Sequence, residues 1–153
     1  MSREDVDLVG RLYAENGPFS LPLSHEEEAA LLDRTFGRYY DEQVEIRMPS
    51  EYPEGEQVLV GRRGMAEVIE LLRDSWTSWR FEAEDVLDVG NCVVVLIRVV
   101  AEAAVSGLAF VQETAHVWTS RDGRLASIQI YRDRAQALEA VGLSEGASEV
   151  EDA

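Results

Sequence analysis

Glu113 is a single carboxylate set among small apolar residues, and Arg98 stands where a turn would bring it across from that acid. Gly107 to Thr119 alternates in character, as a strand does when successive side chains face opposite ways. The odd positions are Gly107, Ala109, Val111, Glu113, Ala115, Val117 and Thr119; the even ones are Leu108, Phe110, Gln112, Thr114, His116 and Trp118. A face of small residues leaves room beneath it, so the odd face is expected to line a hollow, with Val111, Ala115 and Val117 touching a ligand. An acid buried there would be desolvated, which raises a carboxyl pKa and suits it to general acid or base work. A turn around Ala103–Ser106 sets Arg98 nearly opposite Glu113, where the guanidinium would lower that pKa again and stabilise an oxyanion. The same two residues also read as a structural ion pair, costly to break and catalytically silent. Both readings remain open at this point.

The even face is bulky and mixed, which suits a protein partner. Phe110, Gln112, Thr114, His116 and Trp118 are therefore expected to form a homodimer contact. Histidine titrates near neutrality, yet the parity of His116 puts it opposite Glu113. His25 follows a helix cap, and the two histidines have no metal-site spacing. Gly61-Arg62-Arg63-Gly64 lacks the spacing and the lysine of a phosphate loop. No metal and no cofactor are expected.

The elements that must hold these residues follow from periodicity and punctuation. Glu4 to Asn16 carries Val6, Val9, Leu12 and Tyr13 on one helical stripe, and Asn16-Gly17-Pro18 stops it. Ser24 with Glu27 forms a capping box, opening a helix with Leu31, Leu32, Phe36, Tyr39 and Tyr40 at helical spacing. Gln43–Met48 and Gln57–Val60 read as short strands around a polar loop, Ser50–Glu56. Gly64 to Trp79 reads as a helix whose stripe includes Met65, Val68, Ile69, Leu72, Trp76 and Trp79. Tyr13, Phe36, Tyr39, Trp76 and Trp79 fall on helical stripes and are expected to be mostly core, some of them, Tyr39, Trp76 and Trp79 among these, also touching a flat apolar ligand. Arg80–Val89, Cys92–Glu102, Gly107–Thr119 and Arg124–Arg132 read as strands, the last two joined by Asp122-Gly123, a dipeptide suited to a tight turn. Asp133–Val141 is a short helix stopped by Gly142. Helices followed by meandering strands make an α+β domain. The expected form is a cone-shaped, curved antiparallel sheet wrapping three helices of the N-terminal half, with a short C-terminal helix.

Composition narrows the partners. With 30 acidic residues against 14 basic ones the net charge is −16, which excludes the basic footprint of nucleic-acid binding and any affinity for anionic lipid. The basic residues are all arginine, so Schiff-base chemistry on lysine is excluded. Cys92 is the only cysteine, which leaves no intrachain disulfide or thiolate metal cluster. No leader or membrane-span pattern is visible, and a cytoplasmic location is expected. Residues 1–143 are expected to be one domain, and the acidic stretch 144–153 a disordered tail.

Four segments, VGRRGMAEVIELLRDSW (60–76), FEAEDVLDVGNCVVVLIRV (81–99), SGLAF with ETAHVWTSRDGRL (106–125) and IYRDRAQALEAVGL (130–143), together resemble the SnoaL-like branch of the nuclear-transport-factor-2-like superfamily. The resemblance implies the cone fold and a small-molecule pocket. It also implies places for chemistry. The pocket acid of ketosteroid isomerase-like members falls at Ala115, and their base carboxylate near Met48, which is read here as a ligand-lining residue instead. Both acids are missing, so steroid isomerisation by that route is excluded. Limonene-epoxide-hydrolase-like members use an aspartate–arginine–aspartate set around a water, for which Arg98 and Glu113 are available and a second acid is not matched. Cyclase-like members use an aspartate near the end of the last strand, close to Asp133. The expectation is a pocket protein. It is either a cofactor-free acid/base enzyme of isomerase, cyclase or hydrolase type on a largely apolar carbonyl- or epoxide-bearing substrate, or a non-catalytic ligand-binding or dimeric interaction protein of the same fold.

Overall fold

The computed structural model describes residues 3–16, 19–49 and 57–142. The polar loop at 50–56 and the acidic tail fall outside the described residues. The chain runs α1 (Arg3–Asn16), β1 (Phe19–Leu21), α2 (His25–Arg38), β2 (Tyr40–Arg47), β3 (Val58–Val60), α3 (Gly61–Ser75), β4 (Trp76–Asp88), β5 (Val93–Ala103), β6 (Ala109–Arg121), β7 (Arg124–Tyr131) and α4 (Arg134–Ala140). The strands form one seven-stranded sheet in the order β1-β4-β5-β6-β7-β2-β3. Strands β4 to β7 meander antiparallel, while β2 returns parallel to β7. This is the α+β cone expected from the sequence.

Local chemistry sets the boundaries. The Ser24 hydroxyl accepts from the Glu27 amide at 3.0 Å and the Glu27 carboxylate accepts from the Ser24 amide at 3.1 Å, closing the capping box that starts α2. Asp122 (φ 54°) and Gly123 (φ 79°) make the β6–β7 turn in the left-handed region, which explains why that dipeptide stands there. A Cβ on Gly64 would come within 2.9 Å of the Leu59 backbone, so glycine lets α3 sit directly against β3.

The helix expected over Gly64–Trp79 ends earlier, at Ser75, and Trp76 and Trp79 lie on β4. A bulge between Trp76 and Ser78 inserts one extra residue against β5. Residues three apart then share a face, as they also do in a helix. The tryptophan spacing fitted both structures, and strand pairing on both sides of β4 decides between them.

The sheet is loaded differently on its two faces. The concave face packs against α1, α2 and α3 through a cluster built on Val9, Leu12, Val44, Ile46, Val95, Ile97, Trp118 and Leu125. The convex face carries a smaller cluster, Cys92, Val94, Ala115 and Val117 beneath Ala137 and Leu138 of α4. Arg134 pins α4 there. Its guanidinium donates to the carbonyls of Ile97 (2.9 Å) and Thr114 (3.2 Å), and it pairs with Glu84 and, at 3.3 Å, with Glu113. No helix among the described residues is long and apolar enough to cross a membrane.

Arg134 is 14% exposed in its side chain, whereas Glu84 and Glu113 are 44% and 65% exposed, so the carbonyl bonds carry most of its worth. Arg134→Met should lower the unfolding free energy by about 1–3 kcal/mol, read by denaturant titration. An unchanged midpoint would show that α4 needs no such anchor.

Candidate functional site

Strand β6 turns its even-numbered side chains into the cone. Trp118 is 2% exposed within the concave cluster and stacks on Tyr40 at 5.6 Å between ring centroids. His116 packs edge-on against Phe81 at 5.6 Å. Phe110, nearest the β5–β6 turn, meets Trp76 at 5.7 Å. The inner row is buried at Trp118 and exposed at its other end, where Phe110 is 46% exposed. Trp76, Trp79, Phe81 and Ile130 face inward yet are only partly buried. The concave face is thus filled at the Trp118 end and open toward the β5–β6 turn.

One polar cluster interrupts this apolar surface. The Trp118 indole N–H donates to the Tyr13 hydroxyl at 2.9 Å, and that hydroxyl lies 2.6 Å from His116 Nδ1. Tyr13 arrives from α1 because Val6, Val9, Leu12 and Tyr13 form the stripe that helix buries. Burial raises the Tyr13 pKa well above that of a free phenol, against a smaller lowering by the Trp118 hydrogen bond. Burial also pulls His116 down to about 4, so the imidazole is neutral at pH 7. Among the described residues no buried side-chain nitrogen or oxygen lacks a hydrogen-bond partner. The cluster is therefore a stable polar feature in an apolar setting.

The expected facing of β6 is reversed. The odd face is the convex one, so Glu113 looks away from the hollow toward Arg134 and solvent. Arg98 does stand opposite Glu113 in register, as the turn implied, but on that same convex face and exposed. Ala115 and Val117 lie under α4, and Val111 is 63% exposed outside. None of the three can touch a ligand in the cone. The proposed partner surface fails for the same reason. Thr114, His116 and Trp118 point inward, and Thr114 and Trp118 are 8% and 2% exposed; Phe110 and Gln112 remain exposed at the open end. The physical cause is size. On β6, α4 seats over the small Ala115 and Val117 of the convex face, and the large Trp118 fills space on the concave face.

The remaining expected residues divide. Trp76 and Trp79 do line the concave face near its open end. Tyr39 caps α2 with its ring in the core and its hydroxyl donating to Glu15. Met48 is 3% exposed, in the core beyond β2. Asp133 accepts from the Ala135 amide at 2.8 Å as the N-cap of α4, a structural task. Tyr13 is legible in the sequence as a helix-stripe aromatic, one of a group of which some would touch a ligand. Its meeting with His116, 103 residues away, had no local signal. A separate groove, lined by Val6, Asp7, Gly10, Arg11, Ala14 and Val86, runs along the flank of α1 and does not include the polar cluster.

Residues 28–128 match the family model of the SnoaL-like domain. No curated protein matches the chain. Among solved structures, an NTF2-like protein of unknown function from Burkholderia pseudomallei is 19% identical, over 93% of this chain and 99% of that one, with a TM-score of 0.64. A Jannaschia protein provisionally named a SnoaL-like polyketide cyclase is 16% identical over 92% and 95%, with a TM-score of 0.63. TerC, co-crystallised with polyporic acid, is 18% identical over 90% and 98%, with a TM-score of 0.62. At these identities the structural likeness speaks for the fold. Together with the family match over most of the folded chain, it makes this protein a member of the SnoaL-like family within the NTF2-like superfamily.

Proposed function

We propose that the concave face is a small-molecule site, with Tyr13 and His116 as its polar floor and Phe81, Trp79, Trp76 and Phe110 as its aromatic wall. The observation that carries this is the 2.6 Å Tyr13–His116 contact set among the aromatic rings of the concave face. A buried polar pair that the fold could have replaced by hydrocarbon marks a place where orientation matters. The ligand is largely apolar and flat, held by ring contacts and oriented by one polar edge. A carbonyl compound suits this best, because a neutral imidazole in a dry site polarises a carbonyl without adding charge. The naming of a structural neighbour as a polyketide cyclase and the polyporic acid in TerC are in keeping with such a ligand.

A second reading, binding without turnover, is favoured by a specific observation. Around His116 the inward positions named by register, Trp79, Phe81, Val95, Ile97, Val99, Ala101, Gln112 and Thr114, carry no carboxylate; Asp88, opposite Val93, is an inward acid at the far end of β4. A depressed imidazole pKa makes a poor general base at neutral pH. Chemistry here would therefore rest on polarisation and on the ligand's own acidity.

His116→Phe keeps the ring volume and removes both nitrogens. It should weaken binding of aromatic ketones, measured by tryptophan quenching, by about 5- to 10-fold, while Glu113→Gln should leave affinity within about twofold. The opposite pattern would move the site to the convex face.

The lowered His116 pKa also fixes the sign of a pH effect. Above 6.5, the ordinary value, folded and unfolded chains both hold a neutral imidazole; between 6.5 and about 4 only the unfolded chain takes up the proton. Stability contributed by this residue is thus present above pH 6.5 and is lost as pH falls toward 4, by up to roughly 3 kcal/mol. His116→Phe should flatten that part of the acid limb in denaturant titrations. Identical acid limbs for the two proteins would contradict the buried, neutral state.

A further inference from the structure

The polar cluster can be wired in one direction. An indole nitrogen carries a hydrogen and accepts nothing, so at 2.9 Å from the Tyr13 oxygen Trp118 must be the donor and Tyr13 the acceptor. The hydroxyl has one hydrogen of its own, and His116 Nδ1 lies 2.6 Å away. Were Nδ1 protonated, two N–H groups would converge on one phenolic oxygen. The Tyr13 hydrogen would then have no acceptor within the cluster. Only the arrangement Trp118 to Tyr13 to His116 gives both the indole and the phenol hydrogen an acceptor within the cluster. A neutral imidazole that accepts at Nδ1 carries its hydrogen on Nε2.

We propose that Trp118 and Tyr13 fix His116 as the Nε2–H tautomer, so that the concave face presents a hydrogen-bond donor and selects ligands with an acceptor oxygen, a ketone or a phenolate, on an apolar ring skeleton. The ligand class rests on the small-molecule reading above; the tautomer does not. Trp118 has no surface to offer a ligand, being 2% exposed. It is a positioning residue that acts through Tyr13. The aromatic wall alone would bind organic cations over its ring faces. The donor edge is what turns the preference toward acceptors.

Two measurements on the full chain test this. The long-range nitrogen–proton spectrum of uniformly labelled protein at pH 7 should show His116 with a pyrrole-type Nε2 and a pyridine-type Nδ1. In Tyr13→Phe and Trp118→Phe the pattern should shift toward a tautomer mixture. A pyrrole-type Nδ1 in the unsubstituted protein overturns the proposal, and that spectrum depends on no variant folding. The second measurement compares 2-acetylnaphthalene with 2-ethylnaphthalene, which has nearly the same shape without the oxygen. The ketone should bind about tenfold more tightly to the unsubstituted protein, and Tyr13→Phe should reduce that ratio to about threefold or less. Equal affinity of the two for the unsubstituted protein, or tighter binding of a naphthyl-trimethylammonium probe than of the ketone, overturns the ligand class. If none of the three binds, the pocket reading falls and the ligand class falls with it, while the nitrogen spectrum still decides the tautomer.

Discussion

Strand β6 is buried on both faces in its second half, and the rest of the molecule depends on how it divides its side chains. Ala115 and Val117 are small where α4 packs on the convex face, while on the opposite face Trp118 stacks on Tyr40 and His116 meets Tyr13 of α1. Interior packing tolerates neither an empty gap nor a clash. The one-residue alternation of a strand thus separates structure from site. The convex side is covered over Ala115 and Val117 by α4 and its arginine. The concave side is left with aromatic surface and one polar cluster.

That cluster has to satisfy itself before it can serve a ligand. An indole N–H, a phenol and an imidazole in apolar surroundings would each cost more than they return if left unpaired. Arranged as a chain, each member supplies what the next lacks. The arrangement keeps the imidazole uncharged and the phenol protonated at neutral pH, both by burial. It also leaves one imidazole edge to be satisfied by solvent or by a ligand. A site of this kind favours orientation over strong basicity, in keeping with the absence of acids at the inward register positions around His116.

Much of the fold was legible because its signals are local. The capping box at Ser24, the Asp122-Gly123 turn, the stop at Gly142 (φ 87°) and the meander of four strands all appear as read. Even the register that sets Arg98 opposite Glu113 followed from the hairpin turn. Facing was not legible. Size alone does not say whether small residues border a hollow or a close-packed helix, and α4 reaches the sheet only in the tertiary structure. Trp76 and Trp79 misled for a related reason, since a bulge reproduces the spacing of a helical turn. The contact between Tyr13 and His116 joins the first helix to the third long strand, beyond the reach of any sequence pattern.

The inward facing of His116 is best tested by proton–proton contacts in solution. Cross-relaxation from the His116 ring protons should reach the Tyr13 and Phe81 rings, and none should reach Ala137 or Leu138 of α4. Contacts from His116 to those α4 side chains, with none to Tyr13, would contradict the assignment of the concave face as the site.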